Sequence, residues 1–171
     1  LGLLLYTLIG TFATVVMQSS HATLVLIITA LAAGQITYEN ALALAIGANI
    51  GTTITAILGA ISANAEGRRL AAAHLLFNVV TGLVAIVFIH QFVWAVDALS
   101  IRVGIANDDY ALKLAVFHTL FNLTGVLIMV PFIQRMVTVL QRMFKEEVRT
   151  VVCLATSTMP LPAFPTLPWR L

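Results

Sequence analysis

Aliphatic and aromatic residues run almost unbroken over Leu1–Met17, Thr23–Ala33, Ala41–Ile61, Leu70–Val96 and Tyr110–Phe132. The runs are apolar all round and do not alternate, as expected of helices in hydrocarbon and not of barrel strands. The first predicts a helix of about 25 Å at ~1.5 Å per residue, a little short of a ~30 Å hydrocarbon core. Gln18, Ser19, Ser20 and His21 interrupt it, and Thr23–Ala33 is long enough to cross only about half a membrane. Two short limbs joined by a polar tip predict a re-entrant hairpin; the alternative is one continuous, kinked span. Gly34–Asn40 follows as a surface connection.

A second polar interruption lies at the centre of the third run, Gly47-Ala48-Asn49-Ile50-Gly51-Thr52-Thr53. Glycine costs about 1 kcal/mol relative to alanine inside a helix, and asparagine competes for backbone hydrogen bonds. Two glycines and an asparagine so close together predict a span, Ala41–Ile61, that is unwound in the middle. Ser62–Arg69 is a predicted polar loop, Leu70–Val96 one tilted span, and Asp97–Asp109 a second loop. Tyr110–Phe132 spans again, and Gln134–Arg149 is amphipathic and basic, suited to the membrane interface.

The predicted fold is therefore all-α and integral to the membrane: a re-entrant hairpin, a broken transmembrane helix and two further spans. Residues 1–146 form this unit, and 147–171 a proline-rich tail expected to be disordered. Composition agrees, at 60% hydrophobic and 9% charged with a mean hydropathy of +1.02. Soluble domains carry about 25% charged residues. No basic cluster with interleaved aromatics is present, which argues against nucleic acid as a partner. Cys153 is the only cysteine, so neither an internal disulfide nor a thiolate metal site is available. The chain begins inside an apolar run without a methionine and is expected to be a piece of a longer protein. Arg68 and Arg69, and the basic segment after Pro131, fall on one side of the membrane; the Asp97–Asp109 loop, with Asp97, Asp108 and Asp109 against Arg102, falls on the other. The positive-inside rule makes the basic side cytoplasmic, so the chain is expected to be multi-pass in the plasma membrane, the inner membrane of a bacterium.

Between Leu1 and Ser62 the only charged side chain is Glu39, so neither interruption has a carboxylate cage or an arginine clamp beside it. Ser19, Ser20, Thr23, Thr52, Thr53 and Thr55 bring hydroxyls, and Gln18 and Asn49 bring amides. A hairpin tip also points a helix N-terminus, with free N–H groups, at whatever it holds. Helix ends and unwound carbonyls suit a bare monovalent cation. Together these groups suit an oxyanion bound alongside sodium. His21 is either a donor to the anion, a proton-coupling group or a packed tip residue. No carboxylate is placed to orient a Ser–His pair, which argues against an enzyme, and no cofactor is implied. His74-Leu75-Leu76-Phe77-Asn78 is echoed by His118-Thr119-Leu120-Phe121-Asn122, with Gly82 and Gly125 following. In each the His and Asn share a helix face, either as hydrogen-bonding glue between helices or in contact with a solute or ion.

Gln18-Ser19-Ser20 with Ala22-Thr23, followed by Gly47-Ala48-Asn49-Ile50-Gly51-Thr52-Thr53, resembles the QSSS and G-x-N-I-G-T-T signatures of the type II sodium–phosphate cotransporter family. The His-x-x-Phe-Asn segments are similar to its bacterial members, and the resemblance extends from Leu1 to about Phe144. It implies a sodium-coupled inorganic phosphate symporter whose core is two inverted repeats, each with a QSSS hairpin and a broken helix. One pair of motifs occurs here, so the chain corresponds to the C-terminal repeat, with the N-terminal repeat of the same protein as its missing partner. His21 stands where the signature has its third serine. The resemblance implies that phosphate is lined by Gln18, Ser19, Ser20, Thr23, Asn49, Thr52 and Thr53, and His21 is a further candidate on its own chemistry. Sodium, the coupling ion, is assigned to Gln18, Ser20, Asn49, Gly51 and Thr52. The alternatives are a carrier of another small oxyanion, proton coupling through His21, and a non-transporting membrane scaffold.

Overall fold

The structure, a computed structural model, describes residues 2–145. Seven α-helices follow one another, and no strand occurs among the described residues: α1 (Gly2–Met17), α2 (Ser20–Ala32), α3 (Tyr38–Ala60), α4 (Ala65–Val87), α5 (Ile89–Val103), α6 (Tyr110–Met129) and α7 (Ile133–Met143), with a 3-10 turn at Val130–Phe132 between the last two. Tyr38–Ala60, Ala65–Val87 and the continuous stretch Tyr110–Met143 are long and apolar enough to cross a membrane, whereas α1 and α2 are shorter apolar helices. The predicted all-helical membrane class is therefore observed. The proline-rich tail lies outside the described residues, as does the end of the predicted interfacial segment beyond Lys145.

Helix starts follow from side-chain caps. The hydroxyls of Ser19 and Thr37, the amide oxygen of Asn64 and the carboxylate of Asp109 each accept a backbone N–H three residues on. Such caps satisfy donors that have no partner within the helix. Gly104, at φ 77°, closes α5 in the left-handed conformation that glycine adopts without a Cβ penalty.

α1 and α3 form the tightest pair, and they run in the same direction. Gly10 faces Leu44, Thr11 faces Gly47, and Thr14 faces Gly51. The buried residues of α1 are Thr7, Gly10 and Thr14, one small-residue face at i, i+3 and i+7. A Cβ added at Gly10 would overlap the Leu44 carbonyl, and one at Gly47 the Thr7 carbonyl. One at Gly51 would lie 2.6 Å from the Thr14 Cβ. Thr11 Oγ1 donates to the Gly47 carbonyl at 3.1 Å.

This packing corrects the expectation of an unwound centre, since α3 is a continuous helix through Gly47, Asn49 and Gly51. The two glycines are a GxxxG pair that lets two backbones approach, the usual device where lipid supplies no hydrophobic drive between helices. The threonine hydroxyls of the motif bond back onto the helix. Thr52 donates to the Asn49 carbonyl (2.5 Å), Thr53 to Ile50 (2.7 Å) and Thr55 to Thr52 (2.7 Å).

Two other boundaries differ from expectation. α4 begins at Ala65, so Glu66, Arg68 and Arg69 belong to its first turns and not to a loop. Leu70–Val96 is not one span: the chain turns at Phe88, and α5 continues to Val103, which puts Asp97 in a helix and shortens the loop to residues 104–109. The turn lets the stripe Ile89, Phe92, Val96 and Ser100 dock on the core. Phe92 meets Phe117 edge-on at 5.7 Å, and Phe117 stacks on Phe121 at 5.9 Å. Asp97 pairs with Lys113 of α6 at 2.8 Å.

The bundle has two chemically distinct ends. At one, Arg69 of α4 donates from Nε (2.9 Å) and Nη2 (2.6 Å) to the Phe144 carbonyl just past α7. At the other, Tyr38 and Tyr110, the first residues of α3 and α6, lie 5.4 Å apart beside the acidic 104–109 loop.

In the purified full-length protein, Gly47→Ala and Gly51→Ala are each expected to lower the thermal unfolding midpoint, because overpacking costs about 1–3 kcal/mol. Gly59→Ala on the same helix, where a Cβ meets nothing within 4 Å, is expected to leave it unchanged or raise it by its helix propensity. Equal effects at the three positions would show that the glycines are not a packing device.

Candidate functional site

The turn between α1 and α2 is built from Gln18 and Ser19. Gln18 is exposed and has φ 51°, alone among the described non-glycine residues in being positive. Ser19 is extended (φ −150°, ψ 108°) and caps α2: its Oγ accepts from Ala22 N–H at 3.2 Å, and its carbonyl from Thr23 N–H at 3.1 Å. The N–H groups of Ser20 and His21 belong to the first turn, where a helix has no acceptor of its own. Gln18 and His21 are exposed, and Ser19 and Ser20 are half-buried. Amide, hydroxyl, imidazole and free N–H groups thus share one tip, at the positive end of the α2 dipole.

Thr14 joins this tip to the second motif. It is fully buried, donates its hydroxyl to Thr23 Oγ1 at 2.9 Å, and packs its methyl on Gly51. Thr23, also buried, passes its own proton to the Ser19 carbonyl at 3.1 Å. The tip therefore stands about one helical turn beyond Gly51, along the α1 axis.

Asn49 connects the same level to α6. Its Oδ1 lies 3.0 Å from His118 Nε2, and its Nδ2 donates to Asn122 Oδ1 at 3.2 Å. Asn122 in turn donates to the His118 carbonyl at 2.7 Å. The two copies of the His–Asn echo therefore differ. His118 and Asn122 bond across to another helix, whereas Asn78 is buried and returns its amide to the His74 carbonyl at 3.2 Å. The glycines after each copy also serve packing: a Cβ at Gly82 would press on Ile46 and Ile50, and one at Gly125 on Thr81.

Gln18, Ser19, Ser20, His21 and Thr23 are thus together, with Asn49 and Thr52 half-buried on the neighbouring helix. Thr53 is fully buried, with its proton committed to Ile50. Gly51 is enclosed by Thr11 and Thr14, and with α3 unbroken its carbonyl has no unwound segment from which to bind a cation. Sequence reasoning missed Thr14, whose signal was the Thr7–Gly10–Thr14 face, and did not join His118 and Asn122 to Asn49. It also left out Lys113, which is buried and paired with Asp97.

An all-helical bundle that keeps a polar cluster between apolar, membrane-length helices defines an integral membrane protein. The chain belongs to the Na+/Pi-cotransporter family, whose sequence profile matches residues 4–131. It is 39% identical over 99 residues to the "Putative inorganic phosphate export protein YjbB" of Salmonella typhimurium, covering 58% of this chain and 18% of that protein. The protein of the same name from Escherichia coli strain K12 matches to the same extent. A Bacillus subtilis protein printed as "Uncharacterized protein YqeW" is 32% identical over 93 residues, 54% of this chain and 30% of that protein. The matched stretch is therefore less than a third of the length of these relatives. No solved structure matches the chain.

A double-mutant cycle with Asn49→Ala and His118→Ala is expected to give a coupling of about 0.6 to 2 kcal/mol, the range for hydrogen bonds between membrane helices. Thermal unfolding of the full-length protein measures it. Additive effects would mean that the bond contributes nothing.

Proposed function

We propose that the chain supplies one wall of a sodium-coupled inorganic phosphate symporter, and that phosphate is held at the α1–α2 tip. The observation that supports this reading is that Gln18, Ser20 and His21 lie in or directly after the α1–α2 turn, beside the free N–H groups that open α2. Such a set offers donors to an oxyanion without a fixed positive charge. Ser19, Thr23, Asn49 and Thr52 are assigned to support and complete the site, and Thr53 to the packing beneath it. Sodium is assigned to the hydroxyl and amide oxygens of Gln18, Ser20, Asn49 and Thr52. In this reading α1 and α2 enter the membrane and return as a re-entrant hairpin, the remainder of the protein forms a second, inverted repeat opposite, and the whole lies in the plasma membrane. Family membership supports phosphate and sodium together.

A second reading, net export, is favoured by the printed name of two relatives. A symporter runs in whichever direction the combined gradients drive it, so both are tested in one preparation. The full-length protein in liposomes is expected to take up labelled phosphate when sodium is high outside, and to release loaded phosphate when the gradient is reversed. Fluxes independent of sodium would remove the coupling. Gln18→Ala and Ser20→Ala are each expected to lower the flux about ten- to a hundred-fold with little loss of folded protein, since a hydrogen bond to a charged group contributes about 1.5 to 3 kcal/mol. Wild-type flux in both variants would move the phosphate site elsewhere.

The orientation is tested separately. With the arginine end in the cytoplasm, a cysteine at Asp108 is expected to react with an impermeant maleimide added to intact cells, and one at Ser62 is not. The reverse pattern would invert the topology.

A further inference from the structure

Away from the tip, a wide apolar groove of about 1190 Å³ opens between α4, the end of α6 and α7. Its walls include Leu76 and Val79 of α4, and Met136 and Val139 of α7. Two charged groups, Arg68 and Arg135, line it as well.

Sequence explains why the groove is open. α7 carries Ile133, Met136, Val137, Leu140 and Met143 on one side and Gln134, Arg135, Thr138, Gln141 and Arg142 on the other, an amphipathic pattern. Only Leu140 is buried; Val139 is 53% exposed and Met143 66%. The helix is held at its far end by Arg69, which grips the Phe144 carbonyl. Fixed at that end, α7 stands off α4 and leaves an apolar cleft beside the bundle.

Charge decides what fits there. Glu66 is the one carboxylate at this end of the bundle among the described residues, and it is already paired with Arg69. Arg68 spends one donor on the Ile61 carbonyl at 3.1 Å, and neither it nor Arg135 has an acidic partner among the described residues. Two guanidinium groups in an otherwise apolar lining suit an occupant that is anionic at its head. It must also be largely hydrocarbon, because the rest of the wall is apolar, and large, because the volume exceeds the roughly 300–1,000 Å³ of small-molecule pockets. A water-soluble anion meets the first requirement only. Basic pockets between membrane helices are a recurrent means of holding anionic lipid headgroups.

We infer that this groove is a binding site for an anionic phospholipid, with its phosphate on Arg68 and Arg135 and an acyl chain along the α4–α7 cleft. α7 would then dock on the bundle through the lipid, and its basic face would lie at the level of the headgroups.

The test is native mass spectrometry of the full-length protein in detergent with equal amounts of phosphatidylglycerol and phosphatidylcholine of the same chain length. The wild type is expected to retain phosphatidylglycerol with about a ten- to thirty-fold preference. Arg68→Gln with Arg135→Gln is expected to abolish the preference while apolar retention persists. Ala72→Trp, which fills the groove, is expected to reduce retention of both lipids. Because Ala72→Trp leaves both arginines in place, it tests the site even if the arginine variant does not fold. Equal retention of the two lipids by the wild type would overturn the proposal, as would an unaltered preference in the arginine variant. So would displacement of the lipid by inorganic phosphate, which would make the groove a phosphate site. A cysteine at Leu76 that crosslinks to another segment of the protein or to a second copy, with no lipid retained, would make the cleft a protein seam and overturn it as well.

Discussion

The backbones of α1 and α3 lie in direct contact, and the geometry of the polar cluster depends on that contact. Gly10 on one helix and Gly47 and Gly51 on the other remove the Cβ atoms that would hold them apart. With Gly47 facing α1, Asn49 comes about 200° further round the helix at ~100° per residue, which turns its amide toward α6. Thr14 opposite Gly51 fixes where α1 ends, and so where the Gln18–Ser19 turn stands. A larger residue at any of the three glycines would move the turn relative to Asn49, although none of them offers a side chain to a ligand.

In lipid the hydrophobic effect does not press helices together, so packing and hydrogen bonds do the selecting. Three of the helix pairs around α3 show this. α1 meets it through glycine and threonine, and α4 through Gly82 against Ile46 and Ile50. α6 meets it through the Asn49–His118–Asn122 bonds. At the acidic end the Asp97–Lys113 pair joins α5 to α6, with the ammonium 5.8 Å from the Tyr110 ring centre. Polar and glycine positions thus set the contacts of α3 with α1, α4 and α6, while apolar side chains such as Ile27, Leu31, Phe92 and Phe117 form the core that the other helices share.

Much of this was legible in the sequence. The apolar runs gave the class, Gln18–His21 gave the turn, and the paired motifs gave the family. The error at Gly47–Thr53 is instructive because both readings use the same residues. Glycine's low helix propensity suggests unwinding, while its absent side chain permits close approach, and the spacing of Gly47 and Gly51 by four was the sign that packing would prevail. The break at Phe88 was not legible, since neither proline nor glycine marks it. It follows from the amphipathic stripe Ile89–Phe92–Val96–Ser100, which must turn back to reach Phe117. The Asn49–His118 bond joins residues 69 apart in sequence, and no local pattern reveals such a partner.

Gln18 combines an exposed amide with a left-handed backbone. That conformation costs an L-residue about 1–2 kcal/mol and costs glycine almost nothing. The turn would therefore close more readily on glycine, and the sequence present is not the most stable one for this backbone. If Gln18 holds a ligand, as proposed above, this local deficit sets stability against activity at one position. On that proposal, evolution toward greater thermal tolerance and evolution toward faster turnover would pull residue 18 in opposite directions.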